Sequence, residues 1–246
     1  MIKFYCDDIH TKIKDIATNS IDLIYTSPPF GITSNSWDKP LDWKLLFKEM
    51  WRVLKPTGII ILYASCPFSY ELIKFEKPKY NYSWIKNNST GFFQAKYQPL
   101  RRVEDIFVYY KKRGTYNPQM EGDFFTPTEY KKQNNYYGER NNIDKSHFSK
   151  TEGHIGKYPS TFRNWNVRNK KDNGGKKSGV TRTDEQIDYF IKTYSNEGDT
   201  ILDLTCCNNM VGDRCFKLKR NYIGIDIEFR EGSIEEYNKI YSSPLL

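Results

Sequence analysis

Five consecutive residues, Thr26-Ser27-Pro28-Pro29-Phe30, have the types and spacing to do chemistry. They follow the β-rich run Ile21 to Tyr25. Two adjacent prolines cannot continue a hydrogen-bonded ladder, so the strand must stop at them. Neither proline carries an N–H, so the turn presents carbonyls and the Ser27 hydroxyl. That set of acceptors suits a substrate with an N–H₂ group, and Phe30 gives a flat ring a face to stack on. In an open α/β sheet, ligands bind at the carboxyl ends of strands. Ser-Pro-Pro alone is also an ordinary way to end a strand in a surface loop. The apolar strand before it and the aromatic after it favour a site.

A second constellation lies near the C-terminus. The run Thr200 to Leu204 contains Asp203, and the run Tyr222 to Asp226 ends in a second acid. Two strands with acidic ends, joined by a helix, can hold a nucleoside between the first turn and the second carboxylate. An acid at a strand end is common in α/β proteins that bind nothing there, so this signal is weaker than the first.

The elements that must position these residues read as strands alternating with helices. Ile2 to Tyr5 is a short strand, and Asp7 to Ala17 a helix or helical loop. Trp43, Leu46, Phe47, Met50, Trp51 and Leu54 form one apolar stripe, a helix over 42–54. Lys55-Pro56-Thr57-Gly58 ends it. Ile59 to Tyr63 is an unbroken apolar strand of the kind buried on both faces of a parallel sheet. Tyr80 to Lys86 and Asp105 to Tyr110 are further strands. Thr183 with Gln186 reads as a capping box opening a helix whose stripe is Ile187, Phe190, Ile191 and Tyr194. Val211 to Leu218 is a helix, Asn221 to Ile227 a strand, and Ser233 with Glu236 caps a last helix. The pattern predicts an α/β fold: a Rossmann-like mixed, mostly parallel sheet with helices on both faces.

Between these halves, residues 111–182 lose periodicity. They hold 16 Lys and Arg against 7 Asp and Glu, a net +9, which leaves −1 for the rest of a 246-residue chain of formal charge +8. The basic excess is local and points to a polyanion. Five cysteines, Cys6, Cys66, Cys206, Cys207 and Cys215, are odd in number and irregularly spaced. That reads as reduced thiols in an intracellular protein, without a zinc motif. No apolar run approaches membrane-spanning length, and Met1 to Asp8 lacks a secretory signal pattern.

Taken together, these residues resemble the β-group DNA amino-methyltransferases (N6-adenine or N4-cytosine) of restriction-modification systems, phages and large DNA viruses. Thr26 to Phe30 resembles that family's (D/N/S)-P-P-(Y/F/W) motif. Asn19 to Ile24 leads into it as the family does, and Trp51 to Gly58 is similar to the helix and turn that follow. Gly91 to Tyr110, with Glu104-Asp105-Ile106, resembles the segment beyond, and Glu197 to Asp203 and Ile223 to Asp226 the cofactor-binding strands. The motif precedes the cofactor loop, the permuted order of the group. The resemblance implies a catalytic half over 1–110, a basic target-recognition insertion over 111–182 and a cofactor-binding half over 183–246.

It also implies S-adenosylmethionine as cofactor and double-stranded DNA as partner, no membrane and no metal, and it leaves a homodimer open. Ser27, Pro28, Pro29 and Phe30 are then expected to be catalytic. Asp8, Thr26, Asp203, Thr205, Cys207, Asn209 and Asp226 are expected to hold the cofactor. Arg140, Lys157, Arg163, Arg168, Lys170, Lys171, Lys176 and Lys177, interleaved with aromatics, are expected at DNA. The chain departs from the family at the cofactor loop, where two usual glycines are Cys207 and Asn209. Asn tolerates left-handed backbone; cysteine is the less expected substitute. Two other readings stay open: a catalytically inactive DNA-binding relative, and a methyltransferase of protein amides or RNA.

Overall fold

The computed structural model describes residues 1–121, 158–167 and 182–228. Its framework is an eight-stranded sheet: β1 (Ile2–Cys6), β2 (Ile21–Thr26), β3 (Leu54–Ala64), β4 (Tyr80–Thr90), β5 (Arg101–Tyr109), β6 (Phe162–Trp165), β7 (Thr200–Asp203) and β8 (Asn221–Asp226). The spatial order is β1-β8-β7-β2-β3-β5-β4-β6. Neighbours from β1 through β3 are all parallel; β5 runs against both β3 and β4, and β6 lies parallel to β4. This is the mixed, mostly parallel sheet that the sequence predicts.

Five helices accompany it among the described residues: α1 (Ile9–Lys12), α2 (Trp43–Val53), α3 (Phe68–Phe75), α4 (Asp184–Tyr194) and α5 (Met210–Lys217). β3 shows how they divide. Ile60, Leu62 and Ala64 pack with the α2 residues Trp43, Leu46 and Met50 on one face, while Ile59, Ile61 and Tyr63 pack with the α4 residues Ile187, Phe190 and Ile191 on the other. Alternate side chains point to opposite faces, so a strand covered on both sides must be apolar throughout. α2 starts where the Asp42 carboxylate accepts the Leu45 N–H at 3.0 Å. It ends by passing straight into β3, where Lys55 bonds both Asp22 oxygens at 2.8 Å. Thr183 accepts the Gln186 N–H and caps α4, the first half of the capping box. The return half is absent among the described residues, where the Gln186 amide has no hydrogen-bond partner.

Two elements differ from the sequence expectation. α3 was not foreseen. β6 lies inside the stretch read as loop, yet it joins the sheet, its Trp165 is buried, and the Trp84 indole donates to the Trp165 carbonyl at 2.9 Å. Four residues, Phe162-Arg163-Asn164-Trp165, in a tract rich in Asn, Lys and Gly are too few to show a strand period. The expected last helix after Ser233 lies outside the described residues, as does most of 111–182.

Candidate active site

Because β1, β8, β7, β2 and β3 are parallel, their carboxyl ends share one edge. Along it lie, in spatial order, Asp7 and Asp8 after β1, Asp226 at the end of β8, Asp203 at the end of β7, and Thr26 with Ser27 at the end of β2. Strands stand roughly 4.8 Å apart, so this row spans about 14 Å, the reach of a nucleoside extended by an amino acid chain. The two sequence constellations meet here: the Thr26 and Thr205 hydroxyls are hydrogen-bonded at 3.0 Å.

At the motif, Pro28 is buried and Ser27, Pro29 and Phe30 are half-buried. Phe30 stacks on Phe68 of α3, with centroids 5.4 Å apart and planes 22° from parallel. The loop beyond Phe30 is built around Asp38, which is only 7% exposed. One Asp38 oxygen accepts the Gly31 N–H at 2.7 Å; the other accepts the N–H groups of Ile32 at 3.0 Å and Thr33 at 2.7 Å, and the Thr33 hydroxyl at 2.7 Å. Burial alone would raise the Asp38 carboxyl, but the Thr33 hydroxyl and the three N–H groups outweigh it and hold the carboxyl below its ordinary value. Replacing Asp38 with Ala is expected to cost about 2 kcal/mol, since several charge-assisted hydrogen bonds are lost from a partly solvated loop. Urea unfolding measures this cost, and faster hydrogen exchange should be confined to amides 31–33. The Asp38 contribution is present above the unfolded carboxyl's pKa and disappears as pH falls through the lower folded value.

Sequence reasoning missed a residue that touches the motif itself. The Arg182 guanidinium, 6% exposed, donates to Ser27 Oγ at 2.8 Å. It also pairs with Glu104 Oε2 at 3.1 Å, and Glu104 Oε1 accepts from Lys86 Nζ at 2.9 Å. The rings of Tyr63 and Trp84 lie 4.3 and 5.0 Å from its central carbon. The three charged side chains are almost fully enclosed.

On the other side of the Thr26–Thr205 contact, Asp203 is 3% exposed and accepts the Thr205 N–H at 3.1 Å. Burial pushes its carboxyl up to about 7, with the Thr205 N–H pulling it back and the Asp226 charge adding to the rise. Asp226 accepts the Cys207 N–H at 2.7 Å, which folds the loop back onto β8. Cys207 and Asn209 have φ of +46° and +59°. The chain thus makes the left-handed turns usual for glycine with two non-glycine residues, at a cost of roughly 1–2 kcal/mol each. Asn209 is fully buried. Asp8 caps α1, accepting from His10 and Thr11 N–H at 2.8 and 3.3 Å. Three carboxylates in a row, two at strand ends and one just beyond, fit a ligand with ribose hydroxyls and positive charge, the chemistry of S-adenosylmethionine.

Of the residues expected at DNA, Arg163 is half-buried on β6. Its guanidinium lies 4.3 Å over the Tyr189 ring and donates to the Tyr189 hydroxyl. Arg140, Lys157, Arg168, Lys170, Lys171, Lys176 and Lys177 lie outside the described residues. Among the described residues no group of three or more His, Cys, Asp or Glu could hold a metal, and no helix is long and apolar enough to cross a membrane.

The chain is similar to known proteins in sequence and fold. The Type II methyltransferase M.HpaI of Haemophilus parainfluenzae is 24% identical over 237 residues, covering 92% of this chain and 70% of that protein. The crystal structure of the M1.HpyAVI-SAM complex superposes with a TM-score of 0.57 at 20% identity, covering 98% of both chains. The PvuII DNA methyltransferase (cytosine-N4-specific) gives a TM-score of 0.62 at 14% identity, covering 98% of this chain and 91% of that one. A family model described as "DNA methylase" matches residues 21–235. With the match running from the first residue of β2 past the end of β8, the chain belongs to the N6/N4 DNA methylase family.

Proposed function

We propose that this chain moves a methyl group from S-adenosylmethionine to the exocyclic amine of adenine or cytosine in double-stranded DNA, at a specific sequence. The observation that carries the reading is the 3.0 Å contact between Thr26 and Thr205, which sets the acceptor-rich turn beside the loop that follows Asp203, at the ends of adjacent parallel strands. When bound, the cofactor supplies an electrophilic methyl on its sulfonium.

The chain's own residues do the rest. An exocyclic amine is a weak nucleophile because its lone pair is delocalised into the ring. The Ser27 hydroxyl and the Pro28 carbonyl accept its N–H bonds and draw the nitrogen toward a pyramidal geometry, so that its lone pair faces the loop after β7. Catalysis of this kind is positioning and fixed electrostatics. Phe30 stacks on the base once it has left the duplex. Asp203 would hold the cofactor's amino acid part and Asp226 its ribose, with Asp8 toward the adenine. Residues 111–182 form the target-recognition part, and their cations meet phosphates.

The test is methyl transfer from labelled cofactor to DNA, followed by sequencing that detects modified bases. Wild type should label DNA at one short sequence and reveal the base. Ser27→Ala combined with Phe30→Ala should lower turnover about 1,000-fold, two positioning contacts being lost. Unchanged turnover in that double variant would remove the motif from the mechanism. Labelling of protein or RNA in place of DNA would redirect the reading to another amine.

A further inference from the structure

The hairpin joining β4 to β5 carries a surface that nothing above uses. Phe92, Phe93 and Tyr97 are 67, 103 and 88% exposed within six positions. Scattered exposed apolar residues are normal, but three aromatic rings on one tip are not. The tip is built and not slack. Gly91 turns it with φ +88°, and Ala95, Tyr97 and Gln98 N–H groups bond back to Phe92 and Gln94 carbonyls at 2.9 to 3.1 Å. Among the described residues no ring contact holds these three side chains. From Ile85 to Val103 there is no acid, and Lys96, Arg101 and Arg102 flank the rings.

Its place in the fold gives the surface meaning. β5 pairs antiparallel with β3, Asp105 opposite Ala64, so the tip stands at the same carboxyl edge as the motif. Arg101 donates to the Cys66 carbonyl at 3.3 Å, and Phe68, two residues on, stacks against Phe30. The rings are therefore tied to the catalytic turn through two short contacts.

We propose that this tip is a nucleic-acid contact whose aromatic rings stack on bases exposed when the target nucleotide leaves the duplex. The inference rests on the DNA-methylating reading. Flipping unpairs the partner base and breaks two stacks, so flat apolar faces meet water beside the site. Rings with cations on either side are the pairing that single-stranded nucleic acid selects.

The experiment uses the full chain with Phe93→Ala, Tyr97→Ala and their combination, alongside Lys96→Gln and Arg102→Gln. The probes are a short mixed-sequence duplex and its separated strand, titrated by anisotropy over a range of salt. Each ring removed should weaken binding of the separated strand roughly ten-fold, the lower end of base–aromatic stacking. The slope of affinity against salt should stay constant, since a ring releases no counterion. Each cation removed should instead lower that slope by about one. Thermal midpoint and cofactor affinity should remain those of wild type, because the rings support nothing in the fold. Affinities within two-fold of wild type for the ring variants would overturn the proposal. So would a fall in molecular mass by light scattering on removing the rings, which would make the tip a contact between copies of the chain. If wild type itself neither binds nor methylates DNA, the functional reading fails. If wild type does both and the ring variants match it, only the tip proposal fails.

Discussion

Arg182→Met is expected to lower turnover about 100-fold while leaving the affinities for DNA and cofactor within a few-fold of wild type. The reason is the hydrogen bond from its guanidinium to Ser27 Oγ at 2.8 Å. A serine hydroxyl can rotate among three staggered positions and swing its proton in each. The Arg182 N–H occupies one lone pair and fixes where the other points. An acceptor that is correctly placed only part of the time weakens every approach to the transition state, and misplacement of about 1 Å costs on this scale. A factor of 100 corresponds to about 2.7 kcal/mol of lost transition-state stabilisation.

The variant should still fold. Removing one cation leaves Lys86 and Glu104 as a balanced pair at 2.9 Å. Methionine fills the space between Tyr63 and Trp84 with a side chain that packs well on aromatic faces. What separates positioning from bulk support is coupling. Ser27→Ala alone should slow turnover, and adding Arg182→Met to it should slow turnover no further, because there is then no hydroxyl to aim. The change in unfolding free energy should be the same in both backgrounds. Arg182→Lys, which keeps a donor on a shorter, thinner head, should recover about ten-fold. If the two losses multiply, Arg182 merely supports the sheet.

Arg182 also marks the limit of what the sequence makes legible. The motif, the two acidic strand ends and the α2 stripe follow from local pattern: prolines stop a ladder, and apolar residues recur every three to four positions. The neighbourhood of β2 and β7 could be expected from their shared class of element. The partner of Ser27 could not, because 155 positions separate it from Arg182 and nothing local to either residue encodes the contact. The same holds for the Asp38 loop, where a carboxylate gathers N–H groups five to seven residues back, a pattern no periodicity reports. β6 was hidden for another reason: its four residues lie in a tract whose composition argues for loop. Cys207 and Asn209 were legible as departures from a glycine pattern. Only backbone angles reveal that both residues adopt a left-handed conformation.

Asp203→Asn should make the protein more stable and bind its cofactor less well. Folded Asp203 keeps its proton up to about 7, against the ordinary 3.8. Unfolding frees a carboxyl that ionises readily, so between those values the unfolded state gains by releasing a proton that the folded state holds. The contribution is fully present below about pH 4 and declines as pH rises to about 7, by up to about 4 kcal/mol. The amide of Asn can still accept the Thr205 N–H and never ionises, so this cost vanishes. In urea titrations the variant should match wild type near pH 4, exceed it increasingly up to about pH 7, and keep a constant advantage above that. Binding runs the other way. A cationic ligand draws Asp203 to its charged form, so wild-type affinity for S-adenosylmethionine should rise as much as ten-fold per unit toward pH 7 and then level. Calorimetry in buffers of different ionisation heat should detect a proton released on binding below pH 7. In Asp203→Asn both the pH dependence and the proton release should disappear, with affinity at pH 8 down about 100-fold, the loss of a buried charge contact. A variant whose stability and cofactor affinity both match wild type across this range would show that Asp203 is no more than a capping group for the Thr205 amide. The burial that makes the carboxyl costly in the empty fold is what would make it an effective partner for positive charge.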